Sequence, residues 1–267
     1  MNSKLLEEGF KRIWEEDRGS QVNFLTTIAT RVRGMKPDIL FDNCVFIPNN
    51  EYMIKFFGKE IRDADFDCYY SGKCKWNNYL IFPIYDIVDN IVGLAGFQPV
   101  NKARNREGDY EAEAYRVSSS RVLDKRYHMF TLKGILKKGI KDGYIVLTDG
   151  NFDTISLVEN GINACALLSS YLSEEQIAIL KLIDKVYLAV DNDSAGLKLA
   201  RWFKQAIPSG RLIKFNKFKD IDDLLKSEYR DTFLAEFHEN LQCEIPMDIV
   251  IRKENRHHLG WFKLQIK

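Results

Sequence analysis

The sequence predicts an α/β protein, with an α+β N-terminal part followed by a mostly parallel sheet that carries helices on both faces. Three observations predict it. Short apolar runs recur at 144–147, 164–168, 186–190 and 212–215. Helical patterns separate those runs, which is the signature of βαβ units. Before residue 142 the order differs, with an amphipathic helical stretch first and hairpin-like segments after it. Of the 267 residues, 45% are hydrophobic and 29% charged, which excludes disorder over most of the chain and allows a sizeable core.

The elements follow in order. Residues 4–33 read as helical, with Leu5, Phe10, Ile13 and Trp14 on one stripe. From Asp42 to Trp76 the pattern is short and strand-like, with turn signals at Pro48-Asn49-Asn50 and Ser71-Gly72. Residues 79–100 read as two strands around an Asp86–Asn90 turn. Residues 101–113 are polar and loop-like. The stretch 114–141 is basic, with eight Lys or Arg and one acid, Asp124.

Tyr144–Leu147 is then a buried strand ending at Asp149-Gly150. A helix follows and stops at Asn160-Gly161. Ala164–Leu168 is the next strand. Ser173-Glu174-Glu175-Gln176 forms a capping box that opens a helix, with Ser173 at the N-cap. Val186–Val190 is a strand ending at Asp191, Ser194–Phe203 is a helix, and Pro208-Ser209-Gly210 turns into a strand at Leu212–Phe215. The expected division is 1–141 as the α+β part, 142–228 as the parallel-sheet domain and 229–267 as a helical, basic tail. That tail carries Arg252, Lys253 and Arg256, and the sequence leaves it three roles: final strand, template contact or helicase dock.

Charge and cysteine content bound the function. Lys plus Arg is 39 against 38 for Asp plus Glu, a net charge of +1, which excludes a uniformly basic nucleic-acid coat. No apolar run approaches the roughly 20 residues of a membrane helix, and the N-terminus lacks a signal-peptide core, so the expected compartment is the cytoplasm. Cys44, Cys68, Cys74, Cys165 and Cys243 are an odd, scattered set with no CxxC pair, so neither a disulfide framework nor a zinc site is expected. The His257-His258 pair reads as a solvated tail feature.

Three strands run out into acid: Asp149 to Asp153 after the first, Asp191 and Asp193 after the third, and Asp220, Asp222 and Asp223 after the fourth. Parallel strands bring such ends to one edge of the sheet, where ligands sit. Gathered carboxylates repel one another unless a cation neutralises them, and magnesium suits a half-open oxygen site. Any one of these acids also reads as an ordinary N-cap for the following helix.

DGNFDTISL (149–157), DNDSAGLKLA (191–200) and KDIDDLL (219–225) resemble the three motifs of the Toprim domain, a Rossmann-like fold found in primases, topoisomerases and OLD-type nucleases. The Asp-x-Asp-x-Ala-Gly form, and FPIYDIVDNIVGLAGF (82–97) upstream of it, are similar to bacterial DnaG-type primases. The likeness runs over roughly 79–226. It departs from the family pattern in three places. Asp149 stands where the family usually has Glu. The N-terminal zinc-binding module is absent. No helicase-sized segment follows residue 226, so the chain looks like a stand-alone catalytic core of the kind a phage encodes.

The resemblance implies RNA primer synthesis from ribonucleoside triphosphates on single-stranded DNA, with Mg2+ or Mn2+ as cofactor and a replicative helicase as a further partner. It implies metal coordination by Asp191, Asp193 and Asp222, with Asp149 and Asp220 as further ligands. Asp149 is the expected general base and Asp153 orients it or positions a basic residue, although Asp153 also reads as a first-turn helix acid. Arg116, Arg121, Lys125 and Arg126 are the expected template and triphosphate contacts, with Tyr115 and Tyr127 as candidate base-stacking groups. Two other functions remain open at this point: a Toprim nuclease using the same acids, and a degenerate primase that only binds single-stranded DNA or a helicase.

Overall fold

In the computed structural model the described residues are 3–58, 69–70, 73–74, 76–100, 114–119, 123–169, 171–189, 191, 193–215 and 218–251. The N-terminal stripe forms α1 (Ser3–Glu16) and α2 (Arg18–Thr27), continued by a π-helical turn over Ile28–Arg33. The expected single helix breaks at Asp17, whose carboxylate accepts hydrogen bonds from Ser20 Oγ at 2.7 Å and Tyr52 Oη at 2.6 Å. A short helix α3 (Asp38–Phe41) leads to β1 (Val45–Ile47).

The region expected to be strand-like, 42–76, contains a helix, α4 (Asn50–Phe57). Asn49, read as a turn residue, is its N-cap and accepts from the Tyr52 amide at 2.9 Å. Asn serves turns and N-caps by the same hydrogen bond, so Pro48-Asn49-Asn50 opens a helix here instead of a turn between strands. The short strands β2 (Tyr69–Tyr70) and β3 (Lys73–Cys74) pair with each other.

The hairpin at 79–100 forms as β4 (Tyr79–Tyr85) and β5 (Ile91–Val100), and β6 (Ala114–Ser119) adds to it. The antiparallel order is β1-β4-β5-β6. Asp86 closes the turn by accepting from the amides of Val88 and Asn90 at 2.9 and 2.8 Å. Gly96 of β5 has a packing reason: a Cβ there would come within 2.3 Å of the buried Trp76 ring. The loop expected at 101–113 lies outside the described residues.

The second sheet has the order β11-β10-β9-β7-β8, all parallel. Its strands are β7 (Tyr144–Thr148), β8 (Ala164–Ala166), β9 (Lys185–Ala189), β10 (Arg211–Phe215) and β11 (Ile249–Ile251). The tail therefore supplies the edge strand β11 and, ahead of it, a helix, whereas 252–267, with Arg252, Lys253 and Arg256, lie outside the described residues. Of the helices, α5 (Ile135–Asp142), α7 (Glu174–Leu180) and α8 (Ser194–Ala206) cover one face, where Leu136, Leu180, Leu199 and Phe203 pack on Ile145, Leu147 and Leu188. On the other face α6 (Asn151–Glu159), α9 (Ile221–Leu225) and α10 (Arg230–Gln242) pack Leu157, Leu224 and Phe237 on Val146, Tyr187 and Ile213. The expected helices on both faces are present. Helix α5 precedes residue 142 for most of its length, yet it packs on this second sheet.

The two sheets share a core. Phe82 and Phe97 of the first sheet pack with Phe130, Phe152 and Ile155 of the second part. Phe130 also exchanges backbone hydrogen bonds of 2.9 and 2.8 Å with Ala166 of β8.

Candidate active site

Chain order around β7 creates the site. From β7 the chain moves through α6 to β8 on one side, then through α7 to β9 on the other side of β7. The order of strands reverses there, and the crevice at such a switch point opens at the carboxyl ends of the strands. Leu147 of β7 lies beside Leu188 of β9, so Asp149 and Asp191 leave the sheet next to each other. Asp153 joins them from the first turn of α6.

Carboxylate oxygens of Asp149, Asp153 and Asp191 all lie within 4.8 Å of one another. Gly150 makes the third member possible, because a Cβ at that position would fall 2.0 Å from Asp153 Oδ2. The turn between β7 and α6 is braced by Thr148, whose hydroxyl donates to the Gly150 carbonyl at 2.8 Å and shares a 2.8 Å hydrogen bond with the Thr154 hydroxyl.

The three acids are held in an unfavourable field. Burial, and then the charges of Asp220, Asp191, Asp222 and Asp149, push the Asp153 carboxyl up to about 8. Burial first, then Asp149 and Asp220, push Asp191 up to about 6. Asp149 is raised by burial and by Asp193 and Asp220, although the amides of Asp149 and Asp191 act the other way. Three half-buried carboxylates with oxygen donors converging on one point match what a divalent cation needs.

The remaining acids surround this group in other roles. Asp193 is exposed and caps α8, accepting from the Gly196 amide at 2.8 Å. Asp220 caps α9, accepting from the Asp223 amide at 2.7 Å, with Lys219 Nζ at 3.5 Å from its carboxylate. Asp222 donates its amide to Asp153 Oδ1 at 3.3 Å, and its side chain accepts from the Ser156 hydroxyl and from Lys226 Nζ. Thus the ordinary capping reading applies to Asp193 and Asp220, while their charges still act on the central three.

Some site residues went unread in the sequence. Ser156 ties α6 to Asp222, and its place three residues after Asp153 on one helical face was the available signal. Arg33 lies with its guanidinium 3.7 Å from the centre of the Phe152 ring, and nothing in the sequence pointed from residue 33 to residue 152.

The basic residues fall in two groups. Arg116 is on β6 opposite Gln98, but its side chain and all of Arg121 lie outside the described residues. Lys125 and Arg126 sit in an exposed loop docked on α7, where Gln176 Nε2 donates to the Lys125 and His128 carbonyls at 2.9 Å each. Asp124 grips the Arg126 guanidinium at 3.0 and 2.7 Å. No helix among the described residues is long and apolar enough to cross a membrane.

Known proteins resemble this arrangement. Residues 146–225 match a family described as Toprim-like. The DNA primase of Campylobacter jejuni is 34% identical over 124 residues, 45% of this chain and 19% of that protein. The DNA primase of Aquifex aeolicus is 30% identical over 131 residues, 48% of this chain and 24% of that protein. The chain thus aligns with about a fifth to a quarter of these two relatives. Among solved structures, a DnaG catalytic core superposes with a TM-score of 0.66 at 18% identity, covering 89% of this chain and 79% of that one. The RNA polymerase domain of Mycobacterium tuberculosis DnaG, in complex with a double-stranded DNA oligomer carrying a 6-nucleotide overhang, superposes with a TM-score of 0.67 at 14% identity, covering 90% and 80%. The chain has the fold of the DnaG catalytic core, and its residues 146–225 are Toprim-like.

Proposed function

We propose that this protein is a DNA primase of the DnaG type, making short RNA primers from ribonucleoside triphosphates on a single-stranded DNA template. The observation that carries the reading is the convergence of Asp149, Asp153 and Asp191 within 4.8 Å at the switch point of a DnaG-core fold. The proposed cofactor is Mg2+ or Mn2+, held by those three carboxylates. When bound, the cation lowers the charge at the reacting phosphate and the leaving pyrophosphate. Asp193, Asp220 and Asp222 are proposed as further ligands or as the negative field around the site.

The chain's own residues have separate tasks in this reading. Asp149 is proposed as the general base, and Asp153, which reaches the same point from the first turn of α6, is proposed to orient it. Arg116, Arg121, Lys125 and Arg126 are proposed to contact template and triphosphate, which predicts steep salt dependence. Such an enzyme works in the cytoplasm beside the DNA it copies, with a replicative helicase as its proposed partner.

The test is ribonucleotide incorporation on random single-stranded DNA with magnesium or manganese, comparing the wild type with Asp191→Ala and Asp193→Ala. Primer synthesis by the wild type and a loss of at least about a hundredfold in Asp191→Ala, with unchanged circular dichroism, is expected. Metal-dependent cleavage of nucleic acid without incorporation would instead identify a nuclease. DNA binding with neither activity would identify a non-catalytic relative.

A further inference from the structure

We infer that the outer face of α8, together with Tyr171 ahead of α7, is a further binding surface for single-stranded DNA, adjoining the expected basic segment at Tyr127 and running away from the acidic site. Three aromatic side chains are exposed among the described residues: Tyr127 at 48%, Tyr171 at 44% and Trp202 at 52%. They do not lie at random. Tyr171 and Trp202 meet edge to face with ring centres 6.0 Å apart. Tyr127 belongs to the loop docked on the N-terminus of α7 through the Ser173 hydroxyl, which donates to the Arg126 carbonyl. Tyr171 is two residues before that same Ser173. A fully apolar contact would have buried these rings, whereas here roughly half of each residue stays exposed, with the Arg126 guanidinium 5.6 Å from the centre of the Tyr127 ring.

Cations accompany the aromatics. Helix α8, SAGLKLARWFKQA, carries Lys198, Arg201 and Lys204 and no acid. Lys204 is committed to the Gly210 carbonyl and Asp248. Lys198 and Arg201 line a surface cavity of about 420 Å³ together with Trp202 and Gln205, and neither is in an ion pair with a described carboxylate. Glu174 and Glu175, in the first turn of α7, are the opposing charges in this sector. Stacking therefore has to supply most of the attraction at Tyr171, with phosphate contact concentrated at Lys198 and Arg201. Exposed aromatics interleaved with cations are the combination that holds single strands without reading their sequence. An acidic protein partner would be attracted by the same cations, but it gives no reason for Tyr171 and Trp202 to stand exposed beside them.

Placement links the surface to the chemistry. Helix α8 starts at Asp193, beside the acid cluster, and Trp202 is roughly 12 Å further along its axis. A strand leaving the acidic crevice along α8 would meet Trp202 within a few nucleotides. The inference rests on the primase reading for the identity of the strand, and it extends the template path from the Lys125–Tyr127 loop of the basic segment onto α8.

The experiment uses the full chain with fluorescein-labelled oligo-dT of 6 and 20 nucleotides, read by anisotropy, and with tryptophan emission read in parallel. Trp202→Ala should weaken binding of the 20-mer by about fivefold or more, with Trp202→Phe restoring most of it, because phenylalanine still stacks. Oligo-dT should quench an emission component that Trp202→Phe lacks. Lys198→Ala combined with Arg201→Ala should flatten the salt dependence of binding. Equal affinities for the wild type, Trp202→Ala and the double variant would overturn the inference. So would poly-glutamate displacing the oligonucleotide as effectively as unlabelled oligo-dT, since that points to an acidic protein. Ribonucleotide incorporation by the wild type, measured separately, decides the primase reading: incorporation with no effect of Trp202 on binding removes this surface only, and binding at Trp202 without incorporation removes the enzyme only.

Discussion

Two residues on α6 and its entry set the chemistry of the site, and each makes a measurable demand. Gly150 has an extended backbone, φ −111° and ψ 137°, that alanine adopts freely, so its conformation does not require glycine. Space does, because a methyl group there meets Asp153 Oδ2 at 2.0 Å. Gly150→Ala should therefore leave the melting temperature within a few degrees and lower affinity for Mn2+ by about tenfold or more, read by isothermal titration, since one of three ligands is displaced. An unchanged affinity would show that Asp153 is not needed for the ion. Asp153 itself carries the pH dependence. Its carboxyl, raised to about 8, is protonated at neutral pH without a cation, and only the carboxylate binds one. Metal affinity should therefore rise with pH up to about 8 and level off above it. At pH 7 binding should release close to one proton, seen as a dependence of the titration heat on the buffer, and in Asp153→Asn that release should shrink. Below about 6, where Asp191 also takes up a proton, the slope should steepen.

At the scale of elements, the β4–β5 turn fixes α5 through a single side chain. Asp89, in the left-handed region at φ 65°, accepts from the Gly134 amide at 2.9 Å and from Lys137 Nζ at 2.7 Å. Burial acts to raise its carboxyl, but the Lys137 and Gly134 hydrogen bonds outweigh it and hold it below the usual range. Such a group stabilises the fold above the ordinary aspartate value, and that contribution disappears as pH falls through the lowered folded-state value. Asp89→Ala should cost about 1–2 kcal/mol at pH 7 by urea denaturation and less in acid, where the Lys137 ion pair is lost but the Gly134 contact and the left-handed backbone still favour the wild type. Asp89→Asn keeps the Gly134 contact and tolerates the backbone, so it should cost less. This turn was legible because Asp86 and Asn90 bracket it with ordinary turn chemistry. The parallel strands and the Ser173 capping box were legible for the same reason, since local pattern and final structure agree there. Helix α4 was not legible: Tyr52, Met53, Phe56 and Phe57 are large apolar residues that read as strand in a short window, and packing on α1 decided the outcome. The site was half legible. Strand order made the meeting of Asp149 and Asp191 predictable, whereas the choice of Asp153 over Asp193 as third member depended on where α6 and α8 start, which composition does not reveal.

At the scale of the molecule, the question is whether the antiparallel and parallel sheets are two bodies or one. Their boundary is made of aromatic rings: Phe97 and Phe152 are 4.6 Å apart, Phe82 and Phe130 5.8 Å, and Phe82 and Phe152 6.4 Å. Phe130 is fully buried and hydrogen-bonded through its backbone to Ala166, so it belongs to the second sheet while its ring completes the core of the first. Phe152 is adjacent to Asp153, which means that the same ring cluster that joins the sheets also sets the start of α6 and the position of the acid. Removing the Phe130 ring should cost about 3–5 kcal/mol, the range for a large buried aromatic replaced by alanine. The loss should fall on both sheets, because neither can close its core without the other. Variants that keep Trp76, fully buried in the first sheet's second core, or Trp202, on α8 of the second, as the sole tryptophan, with the other three of the four replaced by Phe, report on the two parts separately. In the wild type both probes should follow a single urea transition. In Phe130→Ala the midpoints should fall together, and metal affinity should fall with them as α6 loosens. If instead the Trp76 signal is lost early and the Trp202 signal keeps the wild-type midpoint, the sheets fold independently, and the position of Asp153 is set by the Toprim-like half alone.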